Sequence, residues 1–180
     1  SSGNFFSFEN IKIKDLIFNK TEFDINYNNF NFFEKTLNSI KSKYNILFKN
    51  SKLFYKDQNE NVIFLTKISN LNFSYTDDFF QKLNAKLNIF NVPFKINILN
   101  DLKKRNATID VESHKLRINI HNNFDYSEVN IKGLLDFKAI NKKKIINYII
   151  NKDSLNFKNS KNNFEGKIDF KPFYITTDLK

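Results

Sequence analysis

The chain has 180 residues, 41% of them hydrophobic, enough for one ordinary domain with a sizeable core or one slice of a repetitive assembly. It has no cysteine, which excludes disulfides, thiolate metal sites and cysteine nucleophiles, and Lys, Asn and Asp cut every apolar run short of the roughly 18 residues a membrane-spanning helix needs. A net charge of +10, spread along the chain, fits either a solvated lysine-rich surface or attraction to an anionic partner, nucleic acid or phospholipid.

Ser1-Ser2-Gly3 opens the chain without a Met and reads as a cleavage scar, which leaves residues 4–180 as a single β-rich domain cut from a longer, repetitive protein. The first periodic element is helical, over 31–41. Phe33, Leu37 and Ile40 share a stripe, Asn31 with Glu34 has the form of a capping box, and Lys41 and Lys43 sit where a helix dipole favours cations.

From there the apolar period is two, the signature of half-buried strands. The alternating residues are Phe73 and Tyr75; Leu87 and Ile89; Phe94, Ile96 and Ile98; Ile109 and Val111; Leu116, Ile118 and Ile120; and Val129, Ile131, Leu135 and Phe137. Phe164, Ile168 and Phe170 follow, then Phe173 and Ile175, with Lys, Asn, Asp and Thr filling most positions between. Turn-forming clusters separate the runs at Asp57–Asn61, Asn100-Asp101, Glu112–His114, His121–Asn123 and Asn159–Lys161. Their spacing predicts consecutive antiparallel strands joined by hairpins. One stretch breaks the alternation: over 141–152, Ile145, Ile146, Ile149 and Ile150 form a possible second helical stripe. Its isoleucine content and the lysines near its start argue against a helix.

Two phrases repeat. "GLLDFK" at 133–138 and "GKIDFK" at 166–171 share Gly-x-(Leu/Ile)-Asp-Phe-Lys, and the only two prolines, Pro93 and Pro172, both stand in Pro-Phe-x-Ile. Glycine inside a strand permits a bulge or local curvature, so the sheet is expected to bend at Gly133 and Gly166. Each proline belongs at a strand's first residue or at a bend, because it lacks the ladder N–H.

No arrangement of catalytic residues emerges. His114 in a turn and His121 at a strand end lack partners at metal-ligand spacing, Asp77-Asp78 suits a turn or helix cap, and no phosphate loop, nucleophile elbow or zinc motif occurs. The sequence reads as a non-enzyme with no cofactor or metal. Nucleic-acid binding is the alternative for a basic, aromatic-rich chain, but most aromatics fall in register with Leu, Ile and Val while the lysines fall opposite. A stacking platform interleaves the two on one face, so no nucleic-acid partner is expected.

Residues 30–100 resemble the AsmA-like family, which includes AsmA and, more distantly, TamB. The resemblance rests on the helix at 31–41, "ILFKNSKLFYKDQNENVIF" at 46–64, "ISNLNFSY" at 68–75 and "KLNIFNVPFKINIL" at 86–99. Ser51 and Asp57 stand where the family often has Gly and Asp. Glycine is scarcer than in the family, no N-terminal membrane anchor is present in these residues, and beyond 100 the likeness is one of strand pattern only. The resemblance implies a bridge-like lipid carrier whose antiparallel strands curl into a U-shaped groove with an oily inner face. It further implies a periplasmic location, anchorage to the inner membrane through a segment outside these residues, and service in lipid transport and outer-membrane biogenesis.

Together these readings predict a mainly β protein: a long antiparallel meander forming a strongly bent sheet, a U-shaped groove or open barrel, with one or two short helices and the helix at 31–41 packed at one end. The alternating residues named above, from Phe73 to Ile175, become candidate lipid-lining residues, with phospholipid or another acyl-chain lipid and an anionic membrane surface as partners. A two-sheet sandwich or a barrel filled by its own side chains accounts for the same pattern, since one-sided strands must cover their apolar faces somehow.

Overall fold

Alternating Ile, Leu, Val and Phe with Asn, Lys and Asp gives each segment one apolar and one polar side, which an extended chain separates onto opposite faces of a sheet. The computed structural model describes residues 15–26, 44–57, 59–76, 79–151, 154–159, 165–171 and 174–179. Within them lie thirteen strands: β1 (Asp15–Asn19), β2 (Glu22–Ile25), β3 (Tyr44–Lys56), β4 (Val62–Tyr75), β5 (Phe80–Ile89), β6 (Val92–Asp101), β7 (Asn106–Ser113), β8 (Ile118–Tyr126), β9 (Asn130–Ala139), β10 (Lys142–Asn151), β11 (Ser154–Asn159), β12 (Glu165–Lys171) and β13 (Tyr174–Leu179). All belong to one sheet. From β3 to β13 each strand pairs antiparallel with the next, while β1 and β2 lie one after the other along the outer edge of β3, both parallel to it. The sheet is an open meander, with no pairing that closes it into a barrel among the described residues.

The second helical reading is corrected. Residues 142–151 form β10, paired with Ala139–Asn130 of β9 on one side and Asn159–Leu155 of β11 on the other. Four isoleucines cost more in a helix than in a pleated strand, and two flanking strands supply the ladder. The helix expected at 31–41 lies outside the described residues.

The expected bends are also relocated. Register runs unbroken through Gly133 and Gly166, and no described glycine has a positive φ. The irregularities instead fall between Tyr55 and Lys56 in the β3–β4 ladder and between Ile68 and Asn70 in the β4–β5 ladder. Bulges of this kind kink and twist the strands that carry them. Pro93 is the second residue of β6, ahead of the point where pairing with β7 begins at Lys95.

Turn chemistry is local. Asp101 ends β6, and its Oδ1 accepts the N–H groups of Lys103 and Lys104 at 3.1 and 2.9 Å, so the carboxylate shapes the turn that follows it. Asp57 does the same for the β3–β4 turn through the N–H groups of Asn59 and Asn61, each at 2.8 Å. The cluster His121–Asn123, expected as a turn, lies inside β8. Its polar side chains find cross-strand partners there: His121 meets Asp110, Asn122 accepts from Tyr148, and Asn123 accepts from Asn106.

Candidate functional site

Directly paired residues share a face, so the register assembles the apolar side of the sheet row by row. One row runs Ile68, Leu87, Phe94. The next runs Leu71, Ala85, Ile96, Val111, Ile120, Phe137 across six strands, and a third runs Phe73, Leu83, Ile98, Ile109, Asn122, Leu135, Ile146 across seven. At about 4.8 Å per strand, the seven-strand row is about 30 Å long. That is twice the roughly 15 Å spanned by the acyl chains of one bilayer leaflet.

Of the candidate lining residues, Phe73, Tyr75, Leu87, Ile89, Phe94, Ile96, Ile98, Ile109, Val111, Ile118, Ile120, Ile131, Leu135 and Phe137 come together on this face. Ile168, Phe170 and Ile175 occupy paired positions in the β11–β13 ladders. Two do not belong. Leu116 sits in the turn between β7 and β8, and Val129 precedes β9 and is 74% exposed, because alternation continued one step past the strand end in each case. Phe164 and Phe173 lie outside the described residues.

The face also holds residues that alternation alone did not reveal. Leu71 and Ile68 are on one side although their numbers differ in parity, because the bulge at residue 69 flips the phase of β4. A matching flip in β3 carries the face from Ile46 and Phe48 to Leu53 and Tyr55 across Asn50, whose φ is 48°. Ile146 and Ile150 were hidden in the helical reading.

No second layer covers this face among the described residues. Every pair of strands in substantial contact is a pair of sheet neighbours. Among the described residues, the buried hydrophobic ones are only Ile68, Tyr75, Ala85 and Ala107, and the largest side chain that is fully buried is that of Ser113. A filled sandwich buries its Ile and Phe side chains outright. Fully burying one such side chain is worth about 1.5–3 kcal/mol, so a dozen left half open forgo on the order of 10 kcal/mol, as much as the net stability of an ordinary domain.

Tyrosines cross this face. Tyr148 of β10 reaches over Gly133 of β9 to donate its phenol to Asn122 Oδ1 of β8 at 2.9 Å. Tyr126 of β8 likewise reaches past β7, where Ala107 is 4% exposed, to donate to Asn100 Oδ1 of β6 at 2.8 Å. Both donors are 26 residues from their acceptors in the chain, and in both cases the strand crossed offers a residue with little or no side chain. Asn100 also donates to Gln81 Oε1 at 3.0 Å, which extends the polar line to β5.

The opposite face carries the charge. Asp110 and His121 meet at 2.6 Å, Asp136 and Lys143 at 2.5 Å, and Lys82, Lys86, Lys95, Lys132 and Lys138 are exposed at positions of the same phase. Lys142 and Lys144 break the segregation: their partners in β9 are Ala139 and Phe137, so both stand at one end of the apolar face. No protein-family model, curated protein or solved structure matches the chain.

Proposed function

We propose that the protein is a non-enzymatic segment of an AsmA-like envelope protein, whose apolar sheet face shields or conducts lipid acyl chains in the periplasm during lipid transport and outer-membrane biogenesis. The observation that carries this reading is the open apolar face itself, about seven strands wide and without a covering layer among the described residues. Acyl chains laid on it would recover the burial that the sheet's own side chains leave unmade. The polar line of Tyr126, Asn100 and Gln81 gives the face an edge where a headgroup or water meets hydrogen-bonding partners. Aromatic and basic groups lie mainly on opposite faces, an arrangement that suits an oily surface better than base stacking.

Native mass spectrometry of the protein purified from cells tests the reading. Retained phospholipid that leaves when Ile98 and Ile109, paired in the centre of the face, are both replaced by Asp supports it. A folded parent protein carrying no lipid, and taking up none from detergent-solubilised phospholipid, overturns it.

A further inference from the structure

The hairpin tips at one end of the sheet hold apolar side chains where turn geometry selects against them. The β5–β6 turn sets Phe90 and Asn91 at φ 50° and 60°, and the β9–β10 turn sets Ile140 at φ 54°. Such positions favour Asn or Gly, and a β-branched residue in them is strained. Neither side chain recovers that cost in a core: Phe90 is 76% exposed and Ile140 60%.

The tips form one continuous rim. Lys115 Nζ of the β7–β8 turn donates to Asn91 O at 2.9 Å, and Ile140 N donates to Arg117 O at 2.9 Å, so three successive hairpins touch. Leu116, 46% exposed, lies between Phe90 and Ile140 on this rim, and Val62 and Ile63 at the start of β4 prolong it at 52% and 57%. The charge there is mainly positive. Lys115, Arg117 and Lys142 are exposed, and Lys143 is paired with Asp136; of the other nearby acids, Glu112 faces His114, Glu60 faces Lys56, and Asp57 is taken up by Asn59 and Asn61 of its own turn. Lys142 and Lys144 stand on the apolar face at this same end. The far end shares part of this character, for Phe79 stands at φ 64° and is 54% exposed, but it and Val129 are separated by the 102–105 turn, which carries Lys103, Lys104 and Arg105 and no large exposed apolar residue, so the apolar row is continuous only on the first rim.

We infer that this rim is a peripheral membrane contact, with Phe90, Leu116 and Ile140 entering the headgroup boundary of an anionic bilayer while Lys115, Arg117 and Lys142 meet lipid phosphates. Apolar side chains supply insertion and cations supply attraction, the pairing that interfacial binding requires. The inference stands whether or not acyl chains occupy the sheet face.

Co-sedimentation of the full chain with phosphatidylcholine vesicles, with and without phosphatidylglycerol, tests it. Binding is expected to require the anionic lipid and to weaken with salt. The variant Phe90→Asn/Ile140→Asn places turn-compatible residues at both positive-φ sites, so it should melt no lower than the parent yet lose about tenfold or more in vesicle affinity. Arg117→Asn, also at a positive φ of 54°, should lose about fivefold. Lys103→Ser/Lys104→Ser at the far end should change affinity by less than about twofold. A parent that ignores anionic vesicles, a Phe90/Ile140 variant that binds as the parent does, or an equal loss from the far-end variant overturns the inference. Lipid retained by the Phe90/Ile140 variant in native mass spectrometry separates the rim from the sheet face, since that readout follows the face alone.

Discussion

Tyr148 lies across Gly133: a Cβ added to the glycine would stand 2.5 Å from Tyr148 Cζ and 2.8 Å from Phe124 Cβ. The glycine therefore serves as a seat for an aromatic ring that is itself anchored to Asn122. Gly133→Val is expected to destabilise the fold by about 1–3 kcal/mol, since the ring must leave its place or the strands must part. Val at exposed Asn123 should cost far less. Tyr148→Ala in the Gly133→Val background should restore part of the loss, because it removes the obstructing ring. Urea midpoints of the two single variants and the double variant measure this coupling. Additive effects would separate the two residues.

Much of the sheet was legible because alternation is a direct imprint of the pleat. The strands from Phe80 to Ala139 follow it almost without interruption, and twelve of the candidate lining residues share one face for that reason. Legibility failed where long-range pairing overrode a local signal. Asn122 and Asn123 look like turn formers, yet each is held mid-strand by a partner from another strand. β10 carries isoleucine on both faces, Ile145 and Ile149 on one and Ile146 and Ile150 on the other, which blurs period two into something resembling period 3.6. Nor could alternation announce a bulge, since one inserted residue reverses the phase without changing composition.

Asn50 marks one such reversal, and its φ of 48° suits asparagine better than any branched residue. Asn50→Val should lower stability by about 1–2 kcal/mol, whereas Asn50→Gly should change it by less than about 0.5 kcal/mol. Equal melting temperatures for Asn50→Val and the parent would show that the phase change does not depend on this backbone conformation.

The β3–β4 turn should respond to pH from both sides. The Asn61 side-chain amide, then the backbone N–H groups of Asn61 and Asn59, hold the Asp57 carboxyl below its usual value, so its contribution is present above the ordinary carboxylate range and is lost as pH falls through the lowered pKa. Lys56 is shifted upward, first by its hydrogen bond to Asp24 and also by Glu60. Its contribution is complete below the usual lysine value and disappears as pH rises through the raised one. Amide protection at Asn59 and Asn61, corrected for intrinsic exchange, should decline in acid for the parent and remain nearly flat in Asp57→Asn. An unchanged acid response in that variant would assign it to another group.

Ile98 and Asn97 offer the sharpest test of the open face. They are neighbours on β6 with opposite orientation: Ile98 pairs with Leu83 and Ile109 on the apolar side, and Asn97 with Asn84 and Asp110 on the polar side. Asn97 and Ile98 stand five and six residues along the strand from Val92, about 17–20 Å from the hairpin rim, so a label there does not report contact at the tips. A photo-reactive residue at 98 should crosslink phospholipid in cells, because an acyl chain on the face comes within contact distance of that side chain. The same probe at 97 should meet water or protein. Circular dichroism must show native β content in both variants for the comparison to count. Equal labelling at the two positions would mean that lipid reaches the sheet without regard to face. Silence at 98 in a folded variant would mean that protein, not lipid, covers the apolar rows, and the lipid-carrying reading would fail.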